Sequence, residues 1–194
     1  MAKGSANERK VAKDFSLWWS DGKRDDLVWR SSGSGGRATN RSRQGKTTAA
    51  SYGDLTSLDP IIDPLFRIVV VELKKGYTKD LDLLSLIDGK GTKYRILEFW
   101  EQVVRDSERS MDAGWGGNPL LIIHRDYKLP IIIMRKSFYN KLEEYFGEIT
   151  NVKIRLDLDT EKLVLFRLLD FFNNVSPSFF IEKFSEKEGY LDKE

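Results

Sequence analysis

The stretch Tyr52–Gly76, YGDLTSLDPIIDPLFRIVVVELKKG, decides how the chain folds. Its centre, residues 66–71, is a mostly apolar run bounded by a proline and a glycine, a pattern typical of a buried strand. Side chains alternate between the two faces of a strand, so Glu72 and Lys74 point to one face while Leu73 points to the other. We therefore expect an acid and an amine side by side at the end of a buried strand.

A second acid, Asp54, precedes this strand and is separated from it by a loop with two prolines. The loop is long enough to place Asp54 on a neighbouring antiparallel strand, beside Glu72. Two carboxylates and a backbone carbonyl, that of Leu73, would form a hard-oxygen site suited to Mg²⁺ or Mn²⁺. Such a cation lowers the pKa of a bound water, which Lys74 could orient. These residues predict a site for phosphodiester hydrolysis.

Two alternatives remain open at this point. Asp59 and Asp63, which lie in the same loop, could take the place of Asp54. The acid–lysine pair could also be a solvent-exposed ion pair at a strand end, which contributes little to stability. Acid-x-Lys pairs are frequent in a chain that is 32% charged, and five occur here: Glu8/Lys10, Asp21/Lys23, Glu72/Lys74, Asp88/Lys90 and Asp126/Lys128.

Composition excludes several other classes of site. The chain has 194 residues and is 40% hydrophobic, enough for one core and a small appendage. It has no cysteine and a single histidine, His124, which excludes disulfides, thiol nucleophiles and His-rich metal sites. No apolar run is long enough to span a bilayer, and the first residues lack a signal-peptide core. We expect no membrane partner and a cytoplasmic location, in a bacterium or a phage-infected cell.

The remaining patterns predict alternating helices and strands. Apolar residues at helical spacing predict helices over 5–20, 94–111 and 137–146. Apolar or alternating runs predict strands over 27–30, 120–124, 130–134, 152–158 and 163–166, before a short helix near 169–175. The fold class is therefore α/β, with a mixed sheet of about five strands flanked by helices.

Glu8 lies on the inward side of the first helix, three and seven residues before Val11 and Phe15. It either caps the start of that helix or reaches the metal site.

A basic loop is the candidate contact for nucleic-acid phosphates. Residues 27–53 contain no acid, whereas Arg37, Arg41, Arg43 and Lys46 all fall there. Neutralising a phosphate backbone requires positive charge more than a fixed geometry. The alternative is a solvated loop that binds no ligand, which would have the same composition. The segment 45–47, GKT, is not a P-loop because Asn40 stands where a glycine is needed and no apolar strand precedes it. We expect no nucleotide cofactor.

The pattern of Gly53-Asp54 followed by Glu72-x-Lys74 resembles the signature of the PD-(D/E)xK nuclease superfamily. The segments 99–106, FWEQVVRD, and 118–122, NPLLI, resemble those that follow this signature in phage Holliday-junction-resolvase-like members. The resemblance implies that Gln102 faces the metal site from a helix. It also implies that Glu8 could bind a second metal or its water.

The resemblance further implies a restriction-endonuclease-like core over residues 1–150, with residues 151–194 as an extension that packs on it or forms an interface. The expected function is that of a Mg²⁺- or Mn²⁺-dependent DNA endonuclease, structure-selective and acting as a homodimer, with branched DNA as a possible substrate. Two alternatives are a RecB-like exonuclease and a catalytically idle DNA-binding protein of the same fold.

Overall fold

The protein is described here by a computed structural model that covers residues 3–31, 52–77 and 94–191. Its elements in chain order are α1 (Lys3–Trp19), β1 (Val28–Arg30), β2 (Leu55–Ser57), a 3-10 turn (Pro60–Ile62), α2 (Asp63–Phe66), β3 (Val69–Lys75), α3 (Arg95–Asp112), β4 (Asn118–His124), β5 (Ile131–Arg135), α4 (Lys136–Phe146), β6 (Lys153–Asp157), β7 (Lys162–Arg167), α5 (Leu168–Asn174) and α6 (Ser178–Leu191).

Five of the strands form one mixed sheet in the order β3-β4-β5-β7-β6. β3 and β4 are parallel, and every other neighbouring pair is antiparallel. A parallel pair needs a crossover connection, and the segment that links β3 to β4 contains α3. The predicted α/β class with a five-stranded mixed sheet and flanking helices is confirmed.

Apolar side chains cover both faces of the sheet. On one face, Val71 and Leu73 of β3 belong to a core that includes residues of α1, α4, α5 and α6. On the other face, Val70 packs with the apolar residues of α3, among them Trp100 and Val103. β3 is apolar on both faces because both are covered, which explains the continuous apolar run in the sequence.

The start of β3 differs from the prediction. Phe66 was expected to open the strand, but it ends the short helix α2, and β3 begins at Val69. Pro64 lies in the first turn of α2, where its fixed φ angle favours a helical start. A proline can therefore mark the entry to a helix as well as the edge of a strand.

The chain beyond residue 150, predicted to be an extension, contains β6 and β7 of the same sheet. It also contains α5 and α6, whose Phe171 and Phe180 are buried against Trp18 of α1. The proposed division at residue 150 remains a prediction. Within the described residues, no helix is long and apolar enough to cross a membrane.

Candidate active site

β3 presents Glu72 and Lys74 on the face that is covered by α3. The Glu72 side chain is almost fully buried, at 3% exposure. Lys74 donates a hydrogen bond from Nζ to Glu72 Oε1 at 2.5 Å. The same ammonium group lies 5.1 Å from the centre of the Phe99 ring. The acid–lysine pair is therefore mostly enclosed by protein, and the solvent-exposed ion pair considered above is not what the structure contains.

A tight turn at Gly53 brings Asp54 to the outer edge of β3. Gly53 has φ +77°, and a Cβ atom there would lie 2.4 Å from the Val71 carbonyl oxygen. Asp54 N donates to that same oxygen at 2.8 Å, while the Ser31 hydroxyl donates to the Gly53 carbonyl at 2.6 Å. The close approach of the two backbones requires a residue without a side chain.

The sequence predicts Asp54 on a strand beside Glu72. In the structure, Asp54 lies in a bend instead. It immediately precedes β2, which among the described strands pairs with β1 in a separate two-stranded sheet. Asp54 therefore reaches β3 from the turn at Gly53 and not from a neighbouring strand of the main sheet. Its carboxylate Oδ2 accepts a hydrogen bond from Leu73 N at 2.9 Å. The N–H and C=O of a strand residue lie on the same edge of the strand, so the Leu73 carbonyl also lies on the Asp54 side.

Gln102 of α3 bridges the acid and the lysine, and this places it where the resemblance implied. Its Nε2 donates to Glu72 Oε1 at 2.7 Å, and its Oε1 accepts from Lys74 Nζ at 2.9 Å. The Gln102 amide can hold both side chains, because its NH₂ group donates to the carboxylate and its carbonyl oxygen accepts from the ammonium group.

Glu8 approaches the site from α1. The helix begins at Lys3, so Glu8 lies inside it and is not positioned to cap its start. Its side chain forms an ion pair with Arg30 of β1, and its negative charge contributes to raising the pKa of Asp54. Of the two alternatives for Glu8, the structure agrees with proximity to the site.

Burial raises the pKa values of both acids, and a neighbouring carboxylate adds to each shift, Asp54 for Glu72 and Glu8 for Asp54. Burial raises the pKa of Glu72 to about 7, the nearby Asp54 carboxylate adds to this, and Lys74 opposes it. Burial also raises the pKa of Asp54, against the effect of the Leu73 N–H. Two buried carboxylates are costly to ionise together. A divalent cation bound by these oxygens would offset both penalties, so the donor set fits Mg²⁺ or Mn²⁺.

Asp106 is a residue of the site that the sequence reasoning missed. It lies one helical turn after Gln102 on the same face of α3, and burial raises the pKa of its carboxyl against the charges of Arg109, Arg105 and Lys74. Its charge in turn contributes to the raised pKa of Glu72. The four-residue spacing from Gln102 was the signal that could have found it.

The two rival aspartates have other roles. Asp59 accepts a hydrogen bond from Ile61 N at 3.1 Å and pairs with Arg24 Nη1 at 2.6 Å. Asp63 accepts from the Ser57 hydroxyl at 2.6 Å. Both hold the loop that precedes β3, and Asp54 is the aspartate that reaches Glu72.

The predicted phosphate contacts Arg37, Arg41, Arg43 and Lys46 lie outside the described residues. Within residues 3–31, 52–77 and 94–191, no three His, Cys, Asp or Glu side chains cluster tightly enough to enclose a metal ion. The candidate metal site therefore consists of two carboxylates and the Leu73 carbonyl rather than a cage of side chains.

The mixed sheet with an acid-x-lysine pair at the end of β3 and an aspartate at its edge defines a restriction-endonuclease-like core of the PD-(D/E)xK class. The chain belongs to the family described as phage putative PDDEXK endonuclease, whose model matches residues 1–182. It is therefore a nuclease, and DNA is the substrate that an endonuclease family implies. Nucleases of this superfamily generally use divalent metals. Comparison with curated proteins and with solved structures gave no match.

Proposed function

We propose that this nuclease is a Mg²⁺- or Mn²⁺-dependent DNA endonuclease that selects its substrate by structure, as Holliday-junction resolvases do. The observation that carries the proposal is the single hydrogen-bonded cluster in which Gln102 and Lys74 both contact Glu72 Oε1, with Asp54 beside it. A buried acid held between an amine and an amide is costly to maintain for packing alone, and this favours catalysis over the idle DNA-binding alternative.

Asp54, Glu72 and the Leu73 carbonyl would hold the cation. When bound, it supplies a water of lowered pKa and stabilises charge on the phosphate. Lys74, mostly enclosed and oriented by Gln102, would position the attacking water and stabilise the developing negative charge. Gln102 holds the Lys74 and Glu72 side chains in fixed relative positions through its two hydrogen bonds. Glu8, whose charge reaches Asp54, would bind a second cation or its water.

A nuclease that cuts both strands of a junction needs two sites, so we propose a homodimer. Phe171, Phe179 and Phe180 of the C-terminal segment are buried within the subunit and are therefore not part of its interface. The basic residues Arg37, Arg41, Arg43 and Lys46 would contact phosphates. The site of action would be the cytoplasm of the bacterium or infected cell that holds the DNA.

The assignment is tested with Asp54→Asn and Glu72→Gln, which remove charge with little change of shape. Each should abolish cleavage of labelled DNA in Mg²⁺ while the circular dichroism spectrum is unchanged. Asp59→Asn and Asp63→Asn are matched controls from the neighbouring loop and should keep cleavage near the wild-type rate. Full activity in Asp54→Asn, or its loss in Asp63→Asn, would contradict the site proposed here.

Substrate class is tested with a four-way junction, a matched linear duplex, a closed circle and a single strand, each in Mg²⁺, Mn²⁺ and EDTA. Metal-dependent paired nicks confined to the junction are expected, together with a dimer in sedimentation analysis. Cleavage that requires a free end would support the exonuclease alternative. Binding without cleavage in every metal condition would support the idle DNA-binding protein.

A further inference from the structure

The turn between β4 and β5, Arg125–Leu129, carries an aromatic side chain fully in solvent. Tyr127 is 104% exposed, and its ring and hydroxyl have no partner within the part of the chain that the structure describes. Its backbone is left-handed, with φ +61°. Glycine or asparagine adopts this backbone conformation at a lower energetic cost than tyrosine does. Within the described residues, no packing contact of the Tyr127 side chain offsets that cost.

This turn lies on the same edge of the sheet as the catalytic cluster. Parallel strands end at a common edge, and the register pairs Lys75 at the end of β3 with His124 at the end of β4. Gly76 N donates to the His124 carbonyl at 3.1 Å, which joins the two strand ends. Tyr127 follows His124 by three residues, so the turn that carries it lies at the edge of the sheet where β3 and β4 end.

The rim around the ring is basic. Lys75, Arg125 and Lys128 form no ion pair with any described residue, and the one acid of the turn is Asp126. Lys75 also lies close enough to His124 to lower the pKa of the imidazole, in addition to the larger effect of burial. An exposed ring among unpaired cations is complementary to a nucleic-acid strand, in which phosphates alternate with bases that can stack.

A second tyrosine reinforces this location. Tyr77 follows β3, has φ +57° and is 41% exposed. One side of its ring packs against Phe99 at 4.9 Å between centres, and Lys74 lies over that same Phe99 ring. This edge of the sheet therefore carries one aromatic ring that is anchored on Phe99 beside Lys74, that of Tyr77, and one that is fully exposed, that of Tyr127.

We propose that Tyr127 stacks on an unpaired or unstacked base of the DNA, while Lys75, Arg125 and Lys128 contact the flanking phosphates. The inference rests on the proposed function and narrows its substrate class to DNA that exposes a base next to the cleaved bond, such as a single strand, a bulge or a distorted junction. A fully paired duplex offers no base face to the ring and would be held by the cations alone.

The test compares binding of a bulged duplex and its fully paired counterpart to wild type, Tyr127→Ala, Tyr127→Phe and Leu58→Ala, all in EDTA so that no cleavage intervenes. Leu58 is 60% exposed and follows β2, outside the β4–β5 turn, so it controls for loss of an exposed apolar side chain. Loss of one base-stacking contact weakens binding by roughly 5- to 150-fold. We expect this loss for Tyr127→Ala on the bulged DNA alone, with Tyr127→Phe and Leu58→Ala binding as wild type does.

Two results would overturn the inference and leave the proposed function intact. One is wild-type binding of bulged DNA by Tyr127→Ala, in a protein that still cleaves in Mg²⁺. The other is unchanged DNA binding with dissociation of a dimer in sedimentation analysis, which would assign the ring to a contact between two copies. Failure of the proposed function itself has a different signature, since the wild type would then cleave neither DNA in Mg²⁺. A Lys128→Gln variant should weaken binding to both DNAs equally and reduce the salt dependence.

Discussion

At the scale of single residues, Glu72 lies at the centre of the candidate site. Its carboxyl lies at 3% exposure and shares one oxygen, Oε1, between the Lys74 ammonium and the Gln102 amide. The ionisation of a carboxyl group in this position depends strongly on neighbouring charges, because the low dielectric of the interior strengthens each electrostatic interaction. We therefore expect its protonation state to affect stability and the affinity for the proposed cation.

The raised pKa of Glu72 predicts a pH-dependent stability in the absence of metal. The pKa is about 7 in the folded protein against an ordinary value of 4.5. The unfolded chain releases this proton at lower pH, so the free energy of unfolding should fall as pH rises from 4.5 to 7, by about 3 kcal/mol for this group. Urea titrations in EDTA across this range would measure it.

Glu72→Gln is the matched variant, since it cannot titrate. Its stability should decline less over the same pH range and exceed that of the wild type at pH 8. Equal pH slopes for the two proteins would show that burial does not hold the proton on Glu72.

Gln102 is expected to act by positioning the acid and the lysine. Gln102→Leu removes both of its hydrogen bonds, and losing a supporting partner of this kind lowers activity by about 10- to 100-fold. The exposed neighbour Glu101, which faces Arg105 at 3.9 Å, supplies the control Glu101→Gln, with a wild-type rate. Single-turnover cleavage in Mg²⁺ would measure both. A Gln102→Leu rate equal to that of Glu101→Gln would remove Gln102 from the site.

At the scale of elements, the Gly53 turn connects the first third of the chain to the catalytic strand. Ser31, at the end of β1, holds the Gly53 carbonyl, and Asp54 N holds the Val71 carbonyl. Asp54 reaches β3 through this turn. A change in the backbone of the turn should therefore reduce cleavage by more than the accompanying loss of unfolding free energy would explain.

Gly53→Ala and Gly22→Ala separate these two effects. Both glycines have φ +77°, but a Cβ at Gly22 meets nothing within 4 Å, whereas at Gly53 it would lie 2.4 Å from Val71 O. Gly22→Ala should cost about 1–2 kcal/mol of unfolding free energy, the cost of the left-handed backbone, and keep cleavage. Gly53→Ala should cost more and lose cleavage. Urea unfolding and a cleavage assay on both variants check this, and an active Gly53→Ala would show that Asp54 tolerates a displaced turn.

The sequence predicted the elements better than their connections. β3, β4 and α3 have strong apolar patterns. Together with the family resemblance, these patterns were sufficient to predict that Glu72, Lys74 and Gln102 lie close together. The separation of β2 from the main sheet was not predictable from the side-chain pattern, because the chain enters β2 through a left-handed turn at Gly53 that passes close to the Val71 backbone. Asp106 was missed because its relation to Glu72 arises only when α3 packs on β3.

At the scale of the whole molecule, the C-terminal helix α6 is part of the structural core. Phe180 is fully buried and contacts the rings of Trp18, Trp19 and Phe179. Phe180→Ala should therefore lower the free energy of unfolding by about 3–5 kcal/mol. The next residue, Ile181, is 47% exposed, so Ile181→Ala should change it by less than about 1 kcal/mol. Urea denaturation gives both values, and similar losses would place α6 on the surface.

We expect the parallel pairing of β3 with β4 to determine when activity appears during folding. β4, β5, β7 and β6 join through antiparallel contacts that are closer in sequence, whereas β3 docks only when Val69 meets Asn118. Contacts between distant residues form slowly because a large loop must close first. Since Glu72 and Lys74 sit on β3, a chain still in the course of folding carries every residue of the site without being able to cut.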